Sequence, residues 1–208
     1  MEKYNIIPMG DNCIIAEALN KIGLRKTSYP FDWITHGSYF RSTNILYNFA
    51  ILDSLVNGNF SVENFLGDAF TNGRKMYRNI WFPHDHEENA EETFQKYERR
   101  FEKLKADVLT KKNIFIFMTR QVVITEPAFD KIVTQVLSYN PENKIVFFYG
   151  SSHPYMSKAK YKHFVVYQHL FYDIKKISPK MEYEYTYYRP LVETYFRSLF
   201  TKLGMLSD

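Results

Sequence analysis

The sequence predicts an α/β fold: one domain over residues 1–208, built on a mainly parallel sheet of about four or five strands with helices on both faces. Three observations carry that expectation. Two continuous apolar runs, Asn113-Ile114-Phe115-Ile116-Phe117-Met118 and Lys144-Ile145-Val146-Phe147-Phe148-Tyr149, lack the polar alternation of a half-exposed strand and so read as strands buried on both faces. Amphipathic helical stripes separate the runs, and strands alternating with helices build parallel sheets. With 208 residues, 45% of them hydrophobic, the chain can bury one sizeable core, and it shows no fixed-period repeat, low-complexity tract or interdomain linker.

The elements follow in order. Tyr4-Asn5-Ile6-Ile7-Pro8-Met9 reads as a short strand, Gly10-Asp11-Asn12 as a turn, and Ile14, Ile15, Ala18, Leu19 and Ile22 as one face of a helix that Gly23 stops. Residues 34 to 80 read as short helices and loops around Tyr39, Phe40, Ile45, Leu46 and Phe49, with turns at Gly58-Asn59 and Asn72-Gly73. A long helix runs from Glu87 to near Thr110. Its stripe is Phe94, Tyr97, Phe101, Leu104 and Val108, and Glu87, Glu88, Glu91 and Glu92 crowd the end where carboxylates suit the helix dipole. Pro127 fits the first turn of the next helix, which carries Phe129, Ile132, Val133, Val136 and Leu137 and breaks at Asn140-Pro141. Phe164-Val165-Val166-Tyr167 is a further strand. From Pro190, the spacing of Leu191, Val192, Tyr195, Phe196, Leu199, Phe200 and Leu203 predicts a final helix over the sheet.

Cys13, the chain's one cysteine, stands where the first strand passes into the first helix. Asp11 or Asn12 can cap that helix, which leaves Cys13 in its first turn, where unpaired N–H groups and the positive dipole end favour negative charge on sulfur. A buried cysteine that merely packs is the plain alternative. Ligands of an open parallel sheet bind at the C-terminal ends of its strands, and that edge receives Gly10-Asp11-Asn12-Cys13, Thr119-Arg120, Gly150-Ser151-Ser152-His153 and Gln168-His169.

The run from Gly10 to Cys13, followed by Leu24-Arg25-Lys26-Thr27-Ser28-Tyr29-Pro30-Phe31-Asp32-Trp33, resembles a family of bacterial and viral papain-like cysteine peptidases. Phe82-Pro83-His84-Asp85-His86 and Lys96-Tyr97-Glu98-Arg99-Arg100-Phe101 are similar to that family's His-Asp element and Lys-Tyr-x-Arg-Arg helix. The resemblance covers about the first two thirds of the chain. It implies a cysteine hydrolase with Cys13 as nucleophile, His84 as base and Asp85 in an orienting or electrostatic role, with His169 as a second candidate base. It also implies an α+β papain-like fold, in which the nucleophile's helix follows no parallel strand. Periodicity predicts the parallel α/β fold instead.

Asp11, Asn12, Arg25, Asp32, Trp33, Arg120 and His169 are the candidate substrate-binding residues. Arg25 suits a carboxylate or phosphate, but an internal Arg25–Asp32 ion pair that fixes the loop is the favoured use of the two. His84, Asp85 and His86 could ligate a metal, but no His-Glu-x-x-His or Cys-x-x-Cys accompanies them, so neither metal nor cofactor is expected. The absence of a Gly-x-Gly-x-x-Gly or P-loop pattern agrees.

The net charge of +4 is spread along the chain, and Lys96 to Lys105 interleaves Glu98 and Glu102, as on a solvated helix face; nucleic acid is therefore not an expected partner. No apolar run of about 18 residues and no basic-plus-apolar start is present, which predicts a cytoplasmic protein that does not engage a membrane. The expected partner is a small-molecule or peptide substrate. Two readings compete with hydrolysis: a non-catalytic α/β module binding a nucleotide, sugar or protein, and an interaction protein using Tyr-rich residues 181–188 as an edge strand.

Overall fold

The structure, a computed structural model, describes residues 4–10, 13–36, 44–71, 76–77, 80–81, 90–119, 126–149, 164–167 and 189–207. Strands β1 (Asn5–Pro8), β5 (Asn113–Thr119), β6 (Lys144–Tyr149) and β7 (Phe164–Tyr167) hydrogen-bond side by side in that order, and every pair is parallel. Between them in sequence lie helices α1 (Ile14–Lys21), α2 (Asn44–Val56), α3 (Val62–Thr71), α4 (Ala90–Thr110) and α5 (Glu126–Tyr139), and α6 (Arg189–Lys202) ends the fold. The class is α/β, as the periodicity predicts. The helix that Cys13 opens follows a parallel strand, contrary to the papain-like arrangement that the resemblance implies.

Alternation along the strands sorts the core into two layers. Ile7, Phe115, Phe117, Ile145 and Phe147 face α2 to α5, where Phe49, Leu52, Phe65, Tyr97, Phe101 and Ile132 meet them. Ile114, Ile116, Met118 and Val146 face the other way, against Ile15 and Leu19 of α1 and Val192, Phe196 and Phe200 of α6. Both faces of β5 and β6 are therefore dry, which is why their sequences are unbroken apolar runs. Phe117 and Phe147 stack at 4.8 Å across the β5–β6 pair.

β1 is an edge strand among the described residues. The N–H groups of Asn5 and Met9 donate to the carbonyls of Lys112 and Ile116 at 2.9 and 2.8 Å, so the alternate residues Ile6 and Pro8 turn their backbone groups outward. A proline there removes no ladder bond.

Within residues 34–80, where the sequence predicts short helices and loops, the structure has α2 and α3 and also a small antiparallel sheet. Its strands β2 (Thr35–His36), β3 (Met76–Tyr77) and β4 (Ile80–Trp81) pair in the order β2-β4-β3. Helix α1 ends as Gly23 predicts: Gly23 takes φ +75°, its N–H reaches the Asn20 carbonyl and the Leu24 N–H reaches the Leu19 carbonyl. Helix α6 closes in the same way at Gly204, with the Met205 N–H on the Phe200 carbonyl at 2.8 Å. The Asn72-Gly73 turn, Glu87 at the expected start of α4 and the Tyr-rich residues 181–188 lie outside the described residues. No described helix is long and apolar enough to cross a membrane.

Candidate functional site

Cys13 lies at the edge of the sheet where β1, β5, β6 and β7 all end. Its approach is fixed by Met9, tied to β5, and by Gly10, whose carbonyl accepts a 2.7 Å hydrogen bond from the buried side chain of Asn48 on α2. Cys13 is the residue just before α1, one position earlier than the first-turn place the sequence predicts. Its backbone is helical, its carbonyl accepts the Glu17 N–H at 2.9 Å, and its side chain makes no cap hydrogen bond. The thiol belongs to a half-buried residue.

The group that meets the sulfur comes from the far end of the chain. Arg189, the first residue of α6, places Nη2 3.8 Å from Cys13 Sγ, and its Nη1 forms an ion pair with Glu17 in the first turn of α1. One guanidinium thus bridges the sulfur and a carboxylate held one helical turn away, which fixes its orientation over Cys13. A cation at that distance and the N-terminal end of α1 act in the same sense on charge developing at sulfur, while Glu17 offsets part of the cation. Sequence reasoning missed Arg189. It is 176 residues from Cys13, and the only local signal, Arg189-Pro190 at a helix start, marks the helix without marking its neighbour.

Arg25 and Asp32 form the internal ion pair. Arg25 Nη2 and Nε donate to Asp32 Oδ2 at 2.9 and 3.3 Å, Nη2 also donates to the Ser28 hydroxyl at 2.5 Å, and the guanidinium lies 5.1 Å from the centre of the half-buried Trp33 ring. The Tyr29 N–H adds a third hydrogen bond to the same carboxylate oxygen at 3.1 Å. Asp32 is 0% exposed, and burial pushes its carboxyl up to about 6 even though Arg25, the Tyr29 N–H and the charge of Arg100 pull it down. Its other oxygen, Oδ1, accepts no hydrogen bond among the described residues.

The Lys96–Phe101 run divides by side. Tyr97 and Phe101 are buried, Phe101 meeting Phe31 edge-on at 6.2 Å, while Arg100 lies over the Tyr97 ring at 5.1 Å and Glu98 and Arg99 are exposed. That stretch of α4 therefore seats the Pro30–Asp32 turn.

The remaining sequence candidates, Asp11, Asn12, His84, Asp85, His86, Arg120, the Ser151-Ser152-His153 loop and His169, lie outside the described residues. Thr119 and Tyr167, after which Arg120 and His169 follow closely, end strands at the same sheet edge as Cys13. Among the described residues no three His, Cys, Asp or Glu side chains are grouped to hold a metal ion. A cavity of about 460 Å³ is lined by residues of β1, the α1 C-terminus and residues 203–205, and Cys13 does not line it.

Residues 4–48 match the model of a family described as putative papain-like cysteine peptidase. The matched stretch runs from β1 through Cys13 and the Arg25–Asp32 turn to Asn48, which holds the Gly10 carbonyl. No curated protein and no solved structure matches the chain.

Proposed function

We propose that the chain is a cysteine-dependent hydrolase in which Cys13 attacks the carbonyl carbon of a small-molecule or peptide substrate. The observation that carries this reading is the guanidinium of Arg189 held by Glu17 at 3.8 Å from a half-buried thiol, at the strand-end edge of a parallel sheet. In the reaction, the thiol proton passes to a base, sulfur bonds to the carbonyl carbon, and the bond to the leaving group breaks as the base returns the proton to it. Water then cleaves the thioester. His84 is the proposed base with Asp85 orienting or stabilising it, His169 is the second candidate, and backbone N–H groups at the start of α1 are the proposed oxyanion donors. Asp11, Asn12 and Arg120 are proposed to line the substrate's side. The reading needs no metal or cofactor and fits a cytoplasmic thiol enzyme.

The test is trapping. The wild-type chain is treated with a panel of activated p-nitrophenyl esters and its intact mass measured. An acyl group on Cys13, absent in Cys13→Ala and persisting longer in His84→Ala, is the expected result. Failure to acylate Cys13 with any ester while the folded chain still reacts with iodoacetamide would remove the hydrolase reading. What would remain is the binding module, which the cavity remote from Cys13 favours.

A further inference from the structure

The cavity beside β1 has a definite construction. Its floor is the outward edge of β1, where Ile6 presents its backbone N–H and carbonyl and Pro8 presents a carbonyl alone. Its walls are the two helix ends described above: the caps at Gly23 and Gly204 fold Leu24 back on Leu19 and bring Met205 round beside Leu203. Because hydrogen-bonded caps set the walls, the cavity of about 460 Å³ is preformed, and its size falls within the range of small-molecule sites.

Two cationic side chains border it, Arg25, which keeps its ion pair to the buried Asp32, and the exposed Lys26, and no carboxylate is among its described lining residues. Arg25 uses Nε and Nη2 on Asp32 and Ser28, which leaves the two N–H donors of Nη1 without a partner among the described residues. An extended peptide is a poor fit, because strand addition needs a row of backbone pairs. In this strand of four residues Ile6 alone offers both a donor and an acceptor outward, since Pro8 has no N–H.

We propose that this cavity binds an aliphatic carboxylate of about ten carbons. The head group accepts hydrogen bonds from Arg25 Nη1, with Lys26 on the rim, and the chain lies over Leu19, Leu24, Leu203 and Met205. The site is at the opposite end of α1 from Cys13 and does not depend on the hydrolase reading.

The probe is sodium decanoate below its micelle-forming concentration, titrated into the full chain. The readouts are tryptophan fluorescence, which reports Trp33 beside Arg25, and methyl NMR shifts of Leu24, Leu203 and Met205. Wild type shows saturable binding, Lys26→Glu weakens it by about five- to tenfold, and Met205→Glu abolishes it while circular dichroism stays unchanged. Decanol, matched in length and uncharged, binds more weakly than decanoate. No saturable response in the wild type, equal affinity in Met205→Glu, or decanol binding as tightly as decanoate overturns the proposal. So does a Val/Glu alternating peptide that occupies the β1 edge where decanoate does not.

Discussion

The two ends of the parallel sheet are built from different chemistry. At the end where the strands begin, polar side chains are buried and tied to one another. Tyr29 donates to Asp107 at 2.6 Å and accepts from Asn5 at 2.8 Å, and Asn5 donates to Asn113 at 2.9 Å. Asn143 accepts the Asn113 N–H at 2.9 Å and donates to the Val136 carbonyl at the same distance. Lys103 and Lys111 close the network on Asp107. Burial alone pushes the Asp107 carboxyl up, but hydrogen bonds from Lys103, Lys111 and Tyr29 outweigh it and hold the group below the usual carboxylate range. Burial, with the hydrogen bond to Asp107, pushes the Tyr29 hydroxyl up as well. At the end where the strands finish, the described polar side chains meet a half-buried thiol through one guanidinium. A network that satisfies its own members holds strands in register; the guanidinium at Cys13 is instead the contact on which the proposed nucleophile rests.

The largest separation of the two ends comes from substitution at each. Asn113→Ala strips hydrogen bonds from Asn5 and from the Asp107 and Lys111 carbonyls. It is expected to cost about 2–4 kcal/mol in denaturant unfolding while leaving the Cys13 alkylation rate of the folded chain unchanged. Cys13→Ala is expected to cost about 1 kcal/mol and to remove acylation entirely. If the two stability costs are equal, the division between a structural and a chemical end fails.

The Arg25–Asp32 pair sharpens the comparison through pH. The Asp32 carboxyl is held at about 6 in the fold, above its ordinary 3.8, so between those values the folded chain binds a proton that the unfolded chain has released. Its contribution to stability is therefore full below about pH 4 and is lost as pH rises through about 6. Asp32→Asn cannot titrate, so unfolding curves from pH 4 to 7 should show the wild type losing about 1–3 kcal/mol relative to the variant. A gap that does not change with pH contradicts the raised value.

A smaller effect tests the cap at the α1 C-terminus. Gly23→Ala forces a Cβ onto a residue at φ +75°, where space is open but the backbone is strained. About 1 kcal/mol of stability should be lost, measured by the denaturation midpoint. No loss would show that the turn relaxes.

Much of the frame was legible in the sequence because burial leaves a periodic trace. β5 and β6 are dry on both sides and appear as unbroken apolar runs, while α1, α4, α5 and α6 each keep one apolar stripe. The small sheet was not legible, since two-residue strands such as Thr35–His36 and Ile80–Trp81 are shorter than any period. Cys13 was found from its position between a strand and a helix, and Arg25–Asp32 from their nearness in sequence. Arg189 left no such trace, because the contact that matters is made by the packing of α6 on α1, a property of the folded chain and not of any short window.

That contact is also where the account is most exposed. Iodoacetamide alkylation of Cys13 is to be timed in the folded wild type and in Arg189→Gln, with circular dichroism confirming that α6 is still in place. The account predicts that loss of the cation slows alkylation by about three- to tenfold, an effect that shrinks in high salt. An Arg189→Gln variant that is folded and alkylates as fast as the wild type would show that the guanidinium only ties α6 to α1, and would contradict a role for it at the sulfur.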